Sequence, residues 1–246
     1  MSDNPYEAGQ ILADYLLFHY GRDQDLLPWP DGPRSALGFP RRSVDELIDT
    51  ESAGGGRALD VGCAVGRSCY QLARHFDEVL GIDYSASFIA AAEAIRLEGG
   101  TAVERLEEGR LRTAVEVLRP AGVDPDRLRF RQGDAMALDL EDLGGPFELV
   151  HAANLVCRLP DPARFLSSLA GLVKPRGQLL LTTPATWLAE FTPVVNWPAG
   201  GILDYLRDQL GASFRLERQV DLPMLIRETR RKYQWTMVLG SRWRRV

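Results

Sequence analysis

Past residue 56 the chain alternates short apolar runs with helically spaced apolar positions, the pattern of stacked βαβ units on a mostly parallel sheet. The runs predict strands at 57–61, 78–82, 128–132, 147–152 and 178–183, with helices between them. Ser43-Val44-Asp45-Glu46 has capping-box spacing before Leu47 and Ile48, which predicts a short helix leading into the first strand, with Gly54-Gly55-Gly56 as its exit. Ser85 is placed to cap a helix through the Ala-rich stretch 88–97, and Asp161-Pro162 opens another that ends near 174–177. Segments 215–220 and 233–239 predict two more strands, an antiparallel pair closing the sheet.

Three stretches fall outside this alternation and are candidate lids: 1–42, 99–127, and 184–211 with Trp187 and Trp197. In 99–127, Val103, Leu106, Leu111, Val115 and Leu118 recur among Glu and Arg, which predicts one or two amphipathic surface helices. The first 42 residues are too aromatic and proline-punctuated for a loose tail, and are expected to cover an active site built by a single domain spanning 1–246.

Composition narrows the function. With 29 Lys and Arg against 34 Asp and Glu, the net charge of -5 provides no basic field for a nucleic acid. The apolar runs are too short to cross a bilayer and the start lacks a signal-peptide pattern, so a cytoplasmic protein is expected. Cys63, Cys69 and Cys157 are odd in number without a C-x-x-C pair, which speaks against disulfides and against a metal site. Histidines are scarce: His19, His75 and His151.

Chemistry concentrates at Asp60-Val61-Gly62-Cys63-Ala64-Val65-Gly66, a strand end running into a glycine turn and then a helix. A dinucleotide fingerprint would read G-x-G-x-x-G, but Ala64 stands at its second glycine. An acid in the turn suits a cationic ammonium better than a phosphate, which favours S-adenosylmethionine over NAD. Asp83 ends the next strand, where a carboxylate can accept from both ribose hydroxyls, and Asp134 follows the third, placed for the adenine amine. Each acid alone could be a turn residue or a cap; three after successive strands form a set.

That order resembles the class I S-adenosylmethionine-dependent methyltransferases from about residue 44 onward. The resemblance implies a Rossmann-like seven-stranded sheet with helices on both faces, and release of S-adenosylhomocysteine. It also implies a cofactor site of Asp60, Gly62, Cys63, Ala64, Gly66, Asp83, Tyr84, Ser85, Asp134, Ala135 and Asn154. Asn154, after the fourth strand, would face cofactor or substrate near the reacting atoms.

The words YLLFHYG, LPWP and FPRR near the start, TWLAEFTPVVNWP later and KYQWTMVLGSRW at the end make the chain resemble the 4-mercaptohistidine (5-thiohistidine) N-methyltransferases of ovothiol biosynthesis. The implied reaction moves the sulfonium methyl to the imidazole nitrogen nearer the side-chain attachment, giving ovothiol A. Alignment dominates such a reaction, because the donor is already activated. The site must also hold the more nucleophilic thiolate away from the methyl. Arg41 and Arg42, or else Arg227 and Arg230, are candidates for the substrate carboxylate. Tyr15, His19, Tyr20, Trp187, Trp197 and Tyr233 could frame the ring, and a base, if used, would be His19 or His151. The alternatives are another small N or O acceptor, or a cofactor-binding regulator without activity.

Overall fold

Five of the expected strands align in parallel: the central ones, 57–61, 147–153 and 178–183, are apolar runs that bury both faces, whereas 128–132 lies at the edge and buries Leu128 and Phe130 between exposed or half-buried polar positions. The structure, a computed structural model, describes residues 9–246. Its elements are α1 (Gly9–Tyr20), α2 (Asp23–Leu26), α3 (Phe39–Asp45), β1 (Arg57–Val61), α4 (Arg67–Leu72), β2 (Glu78–Asp83) and α5 (Ala86–Glu98). After these come β3 (Gly100–Glu108), β4 (Leu111–Leu118), β5 (Leu128–Gln132), β6 (Phe147–Ala153), α6 (Pro162–Leu172), β7 (Val173–Thr183), α7 (Ile202–Leu210), β8 (Phe214–Arg227) and β9 (Tyr233–Arg245). The sheet runs β5-β2-β1-β6-β7-β9-β8, with β9 antiparallel to both neighbours and the first five strands parallel. This is the expected seven-stranded sheet, and its strand order reverses between β1 and β6, where open α/β sheets form a ligand crevice.

The pleat divides the core. Ala58 on β1 and Leu149 on β6 pack with Phe39, Tyr70 and Phe88 from α3, α4 and α5, whereas Leu59, Val150 and Leu179 pack with Phe165 and Leu206 from α6 and α7. Asp60 and His151 therefore face the first layer, the one that α1 also covers through Leu16, Leu17 and Tyr20. Ser85 caps α5 by accepting from the Phe88 amide, and Asp161 caps α6 by accepting from Arg164, both as expected. Among the described residues no helix is long and apolar enough to cross a membrane.

Two expectations fail. Ser43 does not cap a helix: α3 begins earlier, after Gly38 at φ 65, and the Ser43 hydroxyl donates back to the Pro40 carbonyl from inside it. Pro40 in the first turn of α3 is compatible with a helix start and outweighs the downstream Ser-x-x-Glu signal. The charged stretch 99–127 is not helical either; β3 and β4 form an antiparallel hairpin turning at Gly109, φ 55. Thr101, Val103, Thr113, Val115 and Val117 supply β-branched positions with period two, and Val103, Val115 and Val117 are buried in the core. The apolar positions that suggested a helix are split: Leu111 and Leu118 are exposed.

The hairpin holds the amino-terminal elements down. Glu107, buried, accepts from Arg227 of β8 at 2.6 Å and pairs with Arg105 at 2.7 Å, while Arg105 reaches Asp25 of α2 at 3.1 Å and Arg227 donates to the Asp25 carbonyl. α2 is thus fastened to the hairpin and to β8 at the edge of the sheet. Tyr6 and the other positions before Gly9 lie outside the described residues.

Candidate active site

At the carboxyl end of β1 the glycine turn is shaped by backbone conformations that side chains resist. Gly62 and Gly66 have φ of 73 and 86, and a Cβ on Gly66 would sit 2.5 Å from the Phe130 ring. Ala64, the residue at the missing glycine, nevertheless adopts φ 49. What holds it there is Asp83: one carboxylate oxygen accepts the Ala64 amide at 2.8 Å and the other the Ser85 amide at 2.9 Å. The amides of Gly62 and Cys63 both donate to the Ile82 carbonyl, lashing the turn to β2. Burial pushes the Asp83 pKa up against these backbone donors. Each of its oxygens retains a lone pair for a ribose hydroxyl.

Asp134 caps the 3-10 turn Ala135–Ala137 through the Met136 amide at 2.8 Å and stays exposed. Tyr84 is also exposed, at 63%, and Gln132 donates to its carbonyl. Asp83 and Asp134 keep the rim placement expected of them.

Asp60 does not. It is buried, and its carboxylate is consumed inside the protein: Ser68 Oγ donates at 2.7 Å, Cys69 Sγ at 3.2 Å and His151 Nδ1 at 2.7 Å. The role of free partner for a ligand ammonium is therefore corrected to that of an internal clamp joining β1, α4 and β6. Burial raises its pKa, but His151 and the Ser68 and Cys69 donors outweigh burial and leave it below the ordinary carboxylate value. An ionised Asp60 makes His151 Nδ1 a donor, and the other ring nitrogen, Nε2, is sealed without a partner.

His19 is the other sealed imidazole. Part of its ring surface is accessible, but Nδ1 is enclosed with no partner, so the atom that would take a proton is buried. Burial drives its pKa down to about 3, Arg67 adds to the effect, and Asp60 opposes it. A group this weakly basic is not a general base near neutral pH, which corrects that assignment; as a neutral ring it can still accept or donate a hydrogen bond.

The aromatics of α1 meet the turn directly. Tyr20 Oη donates to the Val65 carbonyl at 2.7 Å, Tyr15 stacks on His19 with centroids 5.9 Å apart, and Tyr15 leans on Phe88 of α5 at 4.8 Å. Asn154 sits at φ 56 after β6, accepting from Thr182 Oγ1 at 3.0 Å and donating to Met224 Sδ at 3.3 Å. An asparagine in this left-handed region is uncommon, and here it aims the turn after β6 at the sheet edge. Cys63 and Cys69 are buried thiols whose pKa values burial raises, Cys63 to about 11, so neither is a nucleophile.

The remaining expected substrate residues scatter. Trp187 packs against the α6 and α7 layer, Trp197 donates to the Thr192 carbonyl, and Tyr233 Oη closes its own turn on the Arg230 carbonyl. Arg227 is spent on Glu107, and the Arg230 guanidinium lies over Trp29, so neither waits for a carboxylate. Arg41 and Arg42 pair with Asp45 and Glu46 one turn along. Sequence reasoning missed Ser68, Cys69 and Arg67. The serine and cysteine follow the glycine turn at helical positions, the only signal that could have placed them against Asp60. Among the described residues no cluster of His, Cys, Asp or Glu forms a metal site.

With this geometry in place, the fold is similar to that of the N-methyltransferase NodS from Bradyrhizobium japonicum WM9 in complex with S-adenosylhomocysteine. That likeness has TM-score 0.54 at 16% identity and covers 95% of this chain and 98% of that one. It is also similar to the [4+2]-cyclase SpnF, with TM-score 0.55 at 20% identity over 88% of this chain and 72% of that one. At these identities the likeness is one of fold, and the cyclase shows that the fold alone does not dictate the reaction. Residues 35–232 match the methyltransferase-domain family, and the chain belongs to it, as a class I S-adenosylmethionine-dependent methyltransferase. Among curated relatives it is similar to a trans-aconitate 2-methyltransferase of Deinococcus radiodurans, 29% identical over 62% of this chain and 46% of that one. It is likewise similar to a ubiquinone biosynthesis O-methyltransferase of Xylella fastidiosa, 30% identical over 66% of this chain and 56% of that one. The match thus spans about half the length of these relatives.

Proposed function

We propose that this protein transfers the methyl group of S-adenosylmethionine to a ring nitrogen of 5-thiohistidine, the nitrogen nearer the side-chain attachment, giving ovothiol A and S-adenosylhomocysteine in a reducing cytoplasm. The observation that carries this reading is the seating of α1 on the glycine turn: the Tyr20 bond to Val65 holds the helix carrying the Tyr15–His19 stack against that turn, which would bring a surface suited to a small flat ring near the cofactor. The family supplies the donor, the rim carboxylates Asp83 and Asp134 would take ribose and adenine, and the turn holding Asn154 closes the methionyl end.

In the reaction the ring nitrogen lone pair attacks the methyl carbon in line, the carbon–sulfur bond breaks, and its electron pair stays on sulfur. The protein's task is to align those atoms and keep the thiolate off that line. His19, held neutral, serves as a hydrogen-bond partner that orients the ring. His151 Nε2 is sealed just as His19 Nδ1 is, so His151 serves as the partner that fixes Asp60 and not as a base. The test is incubation with labelled S-adenosylmethionine and 5-thiohistidine, with the methyl located by NMR. An N-methyl product supports the reading, and an S-methyl product or none refutes it. The O-methyltransferase relatives favour a second reading, a small oxygen acceptor, so phenols and carboxylic acids belong in the same panel.

A further inference from the structure

Beside the glycine turn lies a cavity of about 660 Å³ whose wall carries four guanidinium groups, Arg34, Arg41, Arg42 and Arg67, together with Tyr20. Three of the four are occupied. Arg34 donates to the Trp29 carbonyl at 2.7 Å, Arg41 to Asp45 at 2.8 Å, and Arg42 to Glu46 at 2.6 Å and to the Pro223 carbonyl at 2.9 Å. Arg67 has no hydrogen bond or ion pair among the described residues, and its Nη1 is sealed from solvent without a partner. Burial lowers its pKa, with Tyr20 opposing, yet a guanidinium keeps its charge.

A sealed, charged donor left unpaired is costly, and chains retain one where a ligand completes it. Two carboxylates, Asp23 and Glu46, also line the cavity and Asp45 pairs with Arg41 beside it, so three carboxylates offset the four cations and the site suits a single negative charge. Arg67 directly follows Gly66, and Tyr20 both lines the cavity and holds Val65, so the cavity borders the end of the glycine turn. We propose that Arg67 anchors a carboxylate site, which takes the α-carboxylate of an amino-acid-bearing ligand with the planar fork of its guanidinium. The choice of ligand rests on the methyl-transfer reading, in which both donor and acceptor carry such a group.

The experiment uses the full chain with Arg67→Gln and, as a charge-retaining variant without the fork, Arg67→Lys. Calorimetry compares two pairs of probes that differ at the amino-acid end: S-adenosylhomocysteine against 5′-methylthioadenosine, and 5-thiohistidine against its decarboxylated amine in the presence of S-adenosylhomocysteine. The expected result is a loss of about tenfold or more for the carboxylate-bearing member of one pair, with its partner unchanged. The pair that responds identifies the source of the carboxylate. Unchanged binding of the carboxylate-free member shows that a variant is folded, and Arg67→Lys carries the test if Arg67→Gln is not. If a folded variant distinguishes both pairs as well as the wild-type chain does, the proposal is overturned. Should the wild-type chain bind S-adenosylhomocysteine but leave 5-thiohistidine unbound and unmethylated, the proposed acceptor fails by itself and the nucleoside pair decides the role of Arg67.

Discussion

Replacing His19 by leucine should remove a large part of the protein's sensitivity to mild acid. In the folded chain the imidazole titrates at about 3, whereas an unfolded histidine titrates at about 6.5. A folded-state pKa lowered in this way means that the unfolded chain binds the proton first, so His19 costs stability as pH falls below about 6.5, the cost growing until about pH 3. Between pH 7 and pH 5 the linkage amounts to about 2 kcal/mol, an upper figure because part of the ring touches solvent. Urea unfolding of the wild-type and His19→Leu chains at pH 7, 6 and 5 isolates this contribution, since every other ionisable group is common to both. The wild-type chain should lose about 1 to 2 kcal/mol more than the variant over that range. Equal losses would refute the burial of a neutral Nδ1, and a wild-type chain that gained stability relative to the variant would mean that Asp60 holds the ring protonated.

Gly66→Ala should destabilise by about 2 to 5 kcal/mol, summing left-handed strain and overpacking against Phe130, and should abolish S-adenosylhomocysteine binding; adding Phe130→Leu recovers only the packing share in thermal unfolding. Glu107→Gln leaves buried Arg227 without its charge partner and should cost about 3 kcal/mol in urea, with hydrogen exchange rising in the hairpin and α2 before the parallel strands. The native chain should leave Cys63, Cys69 and Cys157 unlabelled by a thiol reagent at neutral pH, all three reacting once the chain is unfolded.

The parallel strands were legible because four are short apolar runs bounded by turn residues and the fifth alternates Leu128 and Phe130 with polar positions, and Asp83, Asp134, Gly62 and Gly66 were legible because their spacing follows those strands. The hairpin was not: Val103, Leu106, Leu111, Val115 and Leu118 satisfy helical spacing by coincidence, and the burial of Glu107 depends on Arg227, 120 positions away. Asp60 shows the limit most sharply. An acid at a strand end reads the same whether it faces a ligand or is spent on Ser68, Cys69 and His151, and only the packing of α4 and β6 separates the two. Arg67 escaped for the converse reason, since what marks it is the lack of a partner.

The Asp25–Arg105–Glu107–Arg227 cluster ties α2 to the hairpin and to β8, away from the rim that carries Asp83 and Asp134. Loss of charge at any one of these four side chains would therefore loosen α2, the hairpin and the end of β8 together.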